Sequence, residues 1–381
     1  MTFPSTSLLS TCVNPKANSP AQPLTSSPSQ SAEALLEGLR SIDRPVRHQH
    51  LFEDAKAMTL EFFPHWAPED LILYQCKDGI TNKLVRVTHE PSGEILLIRA
   101  YGHKSEAIID RHQEMINMIS ASLEGLCPPL YGRFINGLVY GYIQGTPFSV
   151  EDMRLPHQGL KVADNLARWH RISIPGPRKA KLFPTLFKWA DNVPSSYPDL
   201  AKQAVFAESI DMPKLIRELK ELQVDLETFA SPVVFCHNDL LSGNLIDQGS
   251  KVSFIDYEYG GYNYRGFDIA NHFAEWAGFE CDYSHCPSKE TQFTWLRRYL
   301  ACSRQLQLAG PDPSSPAIEV DDADVHSLYR EVSHFTLASH LYWGLWALIQ
   351  AGLSDIDFDY MSYAVLRFNQ YFLEKDKLLA L

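Results

Sequence analysis

Residues 233–246 of the chain read VVFCHNDLLSGNLI, and residues 252–258 read VSFIDYE. In the first stretch an apolar run leads into a His-x-Asp sequence ending at Asp239, and Asn244 follows five positions later. The second stretch is an apolar run that reaches Asp256. A carboxylate that receives a hydroxyl proton, followed by an amide and a second carboxylate that hold magnesium, is typical of phosphoryl transfer.

The predicted positions of these residues support that interpretation. Residues 232–235 are predicted as a buried strand, and residues 245–247 and 251–255 as two strands around a Gln-Gly-Ser turn. The Asp and Asn of the first stretch therefore lie in a loop and Asp256 at a strand end, from which all three can converge. The alternative is a polar loop in which Asp and Asn serve only as turn residues.

Composition restricts the class of protein further. The chain has 381 residues, of which 45% are hydrophobic, enough for a large core. Its net charge of -12 argues against nucleic acid as a partner. The seven cysteines show no Cys-x2-Cys spacing, which predicts reduced thiols in a cytoplasmic protein. No run is predicted to span a membrane, and the nearest, residues 337–353, contains polar side chains and is predicted as a buried helix.

Three regions are predicted along the chain. Residues 1–32 are rich in Ser, Thr and Pro and are predicted as a disordered tail, with an organelle-targeting peptide as the alternative. Residues 33–145 form a small β-rich N-lobe for the nucleotide phosphates, and residues 146–381 form a larger, mostly helical C-lobe with the catalytic loop. The predicted fold class is therefore α+β, with the bilobal organisation of protein kinases. A helical pattern begins at Glu33, and residues 311–316 are predicted as a surface loop. The patterns predict strands at 71–76, 83–89, 94–100, 128–134 and 138–143, and helices at 106–123, 159–171, 212–229, 291–307, 325–350 and 358–372.

Several motifs resemble the choline/ethanolamine kinase family, and its ethanolamine kinase branch most closely. They are DGITNKL at 78–84, the loop at 237–244, FIDYEY at 254–259, GYNY at 261–264, FDIANHF at 267–273, ASHLYWGLWALIQ at 338–350 and RFNQYF at 367–372. The resemblance implies ATP- and Mg²⁺-dependent phosphorylation of ethanolamine to phosphoethanolamine, an early step of phosphatidylethanolamine synthesis. A choline kinase or a dual-specificity enzyme is the alternative, and a catalytically silent kinase-like scaffold is a more distant one.

Some residues are divided between the two branches of the family. YRGFD at 264–268 and EW at 275–276 resemble choline kinases, whereas LL at 240–241 and AG at 277–278 resemble ethanolamine kinases. Gly141 departs from both, because relatives usually carry Glu or Gln at this connector position. The sequence leaves the oligomeric state open, with a homodimer as one option.

The resemblance assigns roles to the residues of the opening stretches. Asp239 is the expected catalytic base, and Asn244 and Asp256 are expected magnesium ligands. His237 either braces the loop by hydrogen bonds or transfers a proton. Glu258 either reaches a second magnesium through water or caps local backbone.

Nucleotide binding is expected to involve the N-lobe. Gly79, Ile80, Thr81 and Asn82 are expected to form a turn over the phosphates, although any hairpin turn could carry such a sequence. By resemblance, Arg99 contacts the phosphates and Glu114 holds it; the alternative is an arginine that extends into solvent. Tyr142 and Ile143 are expected to line the adenine site, a pattern that core packing would also produce.

Trp343 and Trp346 lie three positions apart on a predicted helix, so both rings can face one side. Without the resemblance, both would be interpreted as core residues. The family's amino-alcohol site is walled by matching aromatic residues, because aromatic faces attract an ammonium group. The other expected members of this site are Tyr259, Glu275, Phe358 and Tyr363. Choline would use aromatic faces alone, whereas the ammonium of ethanolamine also needs hydrogen-bond acceptors.

Overall fold

The computed structural model describes residues 31–76, 82–102, 109–308, 318–354 and 356–381. Most of the predicted tail and the segment around 311–316 therefore lie outside the described residues. The chain divides into two compact units. Within the described residues, Leu39–Gly102 and Leu130–Tyr142 form one, here called the sheet unit. The other, here called the helical unit, comprises the residues up to Gly38, those of His103–Pro129 and Ile143–Leu381.

The sheet unit is built on six strands in the order β1-β5-β6-β4-β3-β2. All neighbours pair antiparallel except β1 and β5, which are parallel. Buried residues alternate along β3, as expected for a strand with one face against a core. Helix α2 (Leu51–Phe62) supplies that core with fully buried Met58 and Phe62. The strands are β1 (Ser41–Ile42), β2 (Leu71–Cys76), β3 (Asn82–His89), β4 (Glu94–Tyr101), β5 (Leu130–Phe134) and β6 (Gly137–Gly141).

The helical unit contains most of the α-helices and two small sheets. One sheet has the order β10-β9-β7 and the other pairs β8 with β11, all antiparallel. The strands are β7 (Thr146–Pro147), β8 (Val233–Cys236), β9 (Leu245–Asp247), β10 (Val252–Phe254) and β11 (Gly261–Tyr264). The helices are α1 (Ala32–Glu37), α3 (Arg111–Leu123), α4 (Val150–Met153), α5 (Pro156–Trp169), α6 (Leu182–Asn192), α7 (Leu200–Ser209), α8 (Met212–Glu227), α9 (Arg265–Ala274), α10 (Lys289–Leu308), α11 (Asp322–Leu353) and α12 (Tyr360–Leu379).

Helix α11 is the central helix of this unit. Every residue from 337 to 351 is buried, so the predicted buried helix is confirmed. Helices apolar on all sides are stable in water only when neighbours cover them, and α9 and α12 pack extensively on α11. None of the described helices is long and apolar enough to cross a membrane. The six described cysteines are all free thiols.

The predicted α+β class is confirmed, but the structure differs from the predicted organisation in two ways. Helix α3, predicted within the N-lobe, belongs to the helical unit. Its Asn117 donates a hydrogen bond to the Gly260 carbonyl oxygen of that unit at 2.7 Å. Helices α4, α6, α7 and α9 were not predicted. Helix α9 is only ten residues long, and three polar residues that lie buried in the structure, Asp268, Asn271 and His272, alternate with its apolar ones.

Close packing of α11 against α12 gives a stability test at Gly344. An added Cβ at this position would lie 2.4 Å from a ring atom of buried Phe368, so Gly344→Ala forces the ring to move. We expect a loss of about 1–3 kcal/mol in the free energy of unfolding, measured by urea denaturation.

Gly159→Ala is the matched control, because Gly159 also lies in a helix, but its added Cβ would lie 3.4 Å from Trp295. Here we expect a gain of up to about 1 kcal/mol from helix propensity. Equal effects of the two substitutions would contradict the packing argument.

Candidate active site

The predicted catalytic loop, residues 237–244, connects two buried strands of the helical unit. It follows β8, which pairs with β11, and precedes β9, which pairs with β10. Asn238 has a φ of 66°, a left-handed conformation that Asn adopts more readily than most residues. Its side chain is held on both sides, because Nδ2 donates to the Tyr259 carbonyl oxygen at 2.9 Å and Oδ1 accepts from Asn263 at 2.9 Å. The loop is therefore a fixed, locally strained turn.

Asp239 and Asn244, predicted to act together, are in direct contact. Asn244 Nδ2 donates to Asp239 Oδ2 at 3.0 Å and to the Asp239 carbonyl oxygen at 2.8 Å. Asp239 Oδ1 is buried and has no hydrogen-bond partner among the described residues. Burial and three neighbouring carboxylates, of which Asp256 is the strongest, raise the pKa of Asp239 well above its usual range. One oxygen of this carboxylate is thus available to accept a proton.

Asp256 lies just beyond β10, as predicted, and its φ of 64° is also left-handed. The residue before it, Ile255, donates its backbone N–H to the Asn244 carbonyl oxygen at 3.0 Å. This bond ties the end of β10 to the catalytic loop. The structure therefore brings Asp239, Asn244 and Asp256 together, although they are separated by up to 17 positions along the chain.

Three carboxylates form a compact group beside the loop. Oxygen atoms of Glu114, Asp256 and Glu258 all lie within 4.8 Å of one another. Arg111 Nη1 lies 3.0 Å from Glu114 Oε2 and 3.0 Å from Glu258 Oε2. Oxygen ligands at such short separations suit a hard divalent cation. The sequence predicted Asp256 and Glu258 in this role, but it assigned Glu114 to Arg99 and gave Arg111 no role.

His237 is fully buried, and burial lowers the pKa of its imidazole to about 4. The ring is therefore neutral near pH 7. Its Nε2 lies 2.9 Å from the Ile255 carbonyl oxygen, to which it can only donate a proton. This is the bracing arrangement that the sequence offered as one of two roles, since the bond connects the catalytic loop to the residue before Asp256.

Asp268 was not predicted as a functional residue, yet it holds the catalytic loop. Its carboxylate accepts the backbone N–H of His237 at 2.9 Å and that of Asn238 at 2.7 Å. His170 Nε2 lies 3.1 Å from the same carboxylate. Burial raises the pKa of Asp268, but the hydrogen bond and charge of His170 are among the effects that outweigh it, so the pKa lies below its usual range. The DIANHF motif in which Asp268 lies was the only signal for it in the sequence.

The five aromatic residues predicted for the amino-alcohol site lie in one connected wall. Trp343 packs edge to face on Tyr259 and on Trp346, with ring centroids 5.5 Å apart in both pairs. Trp346 Nε1 donates to the Tyr259 hydroxyl oxygen at 2.8 Å. Phe358 and Tyr363 lie 5.7 Å apart. Tyr360, which was not predicted, connects the two groups, 5.6 Å from Trp346 and 4.8 Å from Phe358.

Glu275, the acid expected beside that wall, already has a cationic partner. Its Oε1 accepts a hydrogen bond from Arg367 Nη1 at 2.8 Å, and both side chains are buried. The same nitrogen lies 3.2 Å from the Tyr363 hydroxyl, and Arg367 Nη2 donates to Ser339 at 2.9 Å. The charge of Glu275 is therefore balanced within the protein, which the sequence did not predict.

Asn271 connects the aromatic wall to the catalytic loop. Its Oδ1 accepts hydrogen bonds from Trp343 Nε1 at 2.6 Å and from Ser339 at 2.8 Å. Its Nδ2 donates to the Asn238 carbonyl oxygen at 3.2 Å. The wall and the loop residue next to Asp239 therefore share one buried hydrogen-bond network.

The residues predicted for nucleotide binding are only partly described. Gly79, Ile80 and Thr81 lie outside the described residues, and Asn82 is the first residue of β3. Arg99 in β4 is 5% exposed, which disfavours the solvent-extended alternative. Its guanidinium carbon lies 5.6 Å from the ring of Tyr140. Tyr142 and Ile143 are half-buried and follow Gly141, where β6 ends. The pairing of Arg99 with Glu114 stays a prediction.

Comparison with known proteins gives a consistent result. The family model for choline/ethanolamine kinase matches residues 73–372. A probable ethanolamine kinase A of Dictyostelium discoideum is 42% identical over 82% of this chain and 88% of its own. Ethanolamine kinase 1 of Mus musculus is 39% identical over 87% of this chain and 92% of its own.

A solved structure of an ethanolamine kinase from Plasmodium vivax is 29% identical, with a TM-score of 0.74 over 89% of this chain and 92% of its own. The predicted kinase-like fold is thereby confirmed. With a family match over 300 of its 381 residues, the chain belongs to the choline/ethanolamine kinase family.

Proposed function

We propose that this protein transfers the γ-phosphoryl group of ATP to the hydroxyl of ethanolamine, giving phosphoethanolamine. Family membership and the relatives named as ethanolamine kinases support the reaction. The observation that carries it is the buried Asp239 carboxylate, with one oxygen bonded to Asn244 and the other without a partner among the described residues. The oxygen without a partner can accept a hydrogen bond from the hydroxyl of the acceptor substrate.

Asp239 acts as the base. It orients the ethanolamine hydroxyl toward the phosphoryl group and takes its proton, a step that needs little base strength because the transition state is loose. Asn244 holds the second oxygen, so the carboxylate cannot rotate away.

Magnesium fits the cluster of three carboxylates beside the loop. Asp256 and Glu258 would supply oxygen ligands of the kind that this cation prefers, and a Glu114 oxygen lies within 4.8 Å of both. The side-chain oxygen of Asn244 would add a further ligand. Held by these residues, a magnesium ion would neutralise charge on the triphosphate. Arg111 bridges two of these carboxylates, so it limits their mutual repulsion.

The aromatic wall is the proposed site for the ammonium group. Aromatic faces attract any ammonium, including the trimethylammonium of choline, and this keeps choline kinase as the second candidate. A primary ammonium also needs acceptors for its N–H groups. The candidate acceptors are the Tyr259 hydroxyl and the second carboxylate oxygen of Glu275. Because Arg367 balances the charge of Glu275, this second oxygen would act mainly as a directional hydrogen-bond acceptor. Ethanolamine is therefore the preferred substrate.

A catalytically silent scaffold is the remaining alternative from a different class. Magnesium-dependent ATP binding together with turnover, measured on the purified protein, would exclude a silent scaffold. The free cysteines support a cytoplasmic location as a further proposal.

Asp239→Ala tests the role of the base. Removing the proton acceptor is expected to lower kcat by roughly 10²–10⁴-fold. ATP affinity and the melting temperature should stay close to wild type, because the substitution also relieves repulsion among buried carboxylates. Asp376→Ala, at an exposed position of α12, is the control and should leave kcat unchanged. Turnover of Asp239→Ala within tenfold of wild type would refute the assignment.

Substrate preference is tested by measuring kcat/KM for both amino alcohols. We expect ethanolamine to exceed choline by at least about tenfold, because the acceptors are left unpaired when choline binds. Equal values would indicate a dual-specificity enzyme, and a reversed order would establish choline as the substrate.

Asp268→Asn tests whether the hydrogen bonds between the Asp268 carboxylate and the backbone of the catalytic loop are needed for activity. The side-chain amide of Asn has only one acceptor oxygen, so it can accept from only one of the two backbone N–H groups, that of His237 or that of Asn238. Its NH₂ group would face the remaining N–H, donor against donor. We expect about 1.5–3 kcal/mol lower stability, and a kcat that falls about 10²-fold because Asp239 is displaced. KM for ATP should change little. A fall in kcat without a change in KM for ATP would show a local effect on Asp239, because a general loss of stability would not be confined to kcat.

The lowered pKa of Asp268 adds a pH test with a defined sign. Its stabilisation is fully present above the unfolded-state pKa of about 3.9 and is lost as the pH falls through the lower folded-state value. The stability difference between wild type and Asp268→Asn should therefore narrow in strong acid. Asp376→Asn, at the exposed α12 position, should show neither effect.

A further inference from the structure

A cavity of about 340 Å³ lies in the helical unit, and none of its lining residues belongs to the three-carboxylate cluster or the aromatic wall. It is bounded by the end of α5, the start of α9 and the C-terminal half of α10. Three of its ten lining residues are the arginines Arg171, Arg178 and Arg265, and none of the described lining residues is acidic. In a chain with 46 acidic and 34 basic residues, such a concentration of positive charge is unusual.

The three guanidinium groups are only partly compensated by the protein. Arg265 is paired with Glu331. Arg178 Nε donates to the Val233 carbonyl oxygen at 2.7 Å, and its guanidinium carbon lies 5.8 Å from the centre of the Tyr262 ring. Its terminal nitrogens have no hydrogen-bond partner among the described residues. The side chain of Arg171 makes no hydrogen bond or ion pair within the described parts of the chain. Arg171 and Arg178 therefore bring positive charge to the cavity that no acidic side chain among the described residues pairs with.

We propose that this cavity binds a small phosphate-bearing anion. Guanidinium groups match phosphate oxygens with paired, directional N–H donors, and several of them suit a dianion better than a single carboxylate. The volume is at the lower end of the range for small-molecule sites, which fits a compact organic phosphate or inorganic phosphate. Arg171 and Arg178 are exposed, so an anion can reach the cavity from solvent.

The cavity wall is connected to the catalytic loop. His170 lines the cavity; its Nδ1 lies 2.6 Å from the Tyr299 hydroxyl and its Nε2 lies 3.1 Å from Asp268. Asp268 in turn holds the backbone of His237 and Asn238. An occupant would thus lie against the residues that support the proposed base, at a site separate from the substrates. The inference does not depend on which amino alcohol the enzyme phosphorylates.

The test uses inorganic phosphate as the probe, titrated into the full chain by calorimetry. Saturating magnesium AMP-PNP is present throughout, so that the active-site phosphate positions are already occupied. Wild type is expected to bind phosphate saturably with a Kd on the order of 1 mM or tighter. Arg171→Glu and Arg178→Glu should each raise that Kd at least about tenfold, because each brings a negative charge to the cavity.

Arg217→Glu is the matched control, since it makes the same charge change at an exposed position of α8 and should leave the Kd unaltered. Melting temperatures of all three variants check that the fold is retained. The proposal is overturned if wild type shows no saturable binding up to about 10 mM. It is also overturned if the cavity variants bind as wild type, or if Arg217→Glu weakens binding equally. Acetate competing as well as phosphate would overturn the assignment to a phosphate-bearing ligand.

Discussion

The buried carboxylate of Asp268 is the constraint on which the catalytic loop depends. Two consecutive backbone N–H groups point at it, and this holds Asn238 in a left-handed conformation that is otherwise costly. Asn271, one turn further along α9, holds the Asn238 carbonyl oxygen and the Trp343 ring. One short helix therefore positions both the loop that carries the base and the wall proposed for the substrate. The precision of the site comes from α9, which contributes none of the proposed magnesium ligands.

The same region concentrates negative charge at a cost in stability. Oxygen atoms of Glu114, Asp256 and Glu258 lie within 4.8 Å of one another. Burial, followed by the charges of Asp256, Glu275 and Glu258, raises the pKa of Asp239. Burying like charges is unfavourable unless cations accompany them. Arg111 supplies one such cation, and Arg367 does so for Glu275. Carboxylate oxygens this close together suit a divalent cation, so the residues that strain the free protein are those that the proposed metal would relieve.

Part of this arrangement was predictable from short stretches of sequence. The predicted strands at 71–76 and 245–247 match β2 and β9, and the predicted helix at 325–350 lies within α11. These elements were found because alternating or continuous apolar residues report burial directly. The contact between Asp239 and Asn244 was also predictable, since only five positions separate them. Helix α7 has no buried residue, so apolar periodicity does not report it. Helix α6 was not predicted either, although its buried residues recur at helical spacing.

The sequence by itself determined the chemistry, because the types and spacing of residues in the catalytic loop are local properties that permit few reactions. Only the tertiary structure decided which charges are balanced and by what. Arg367 meets Glu275 across 92 positions, and Arg111 meets Glu258 across 147. The free energy of a buried ion depends on all the groups within a few ångströms of it. Neighbours in space are set by how the helices pack, and no local pattern records that packing.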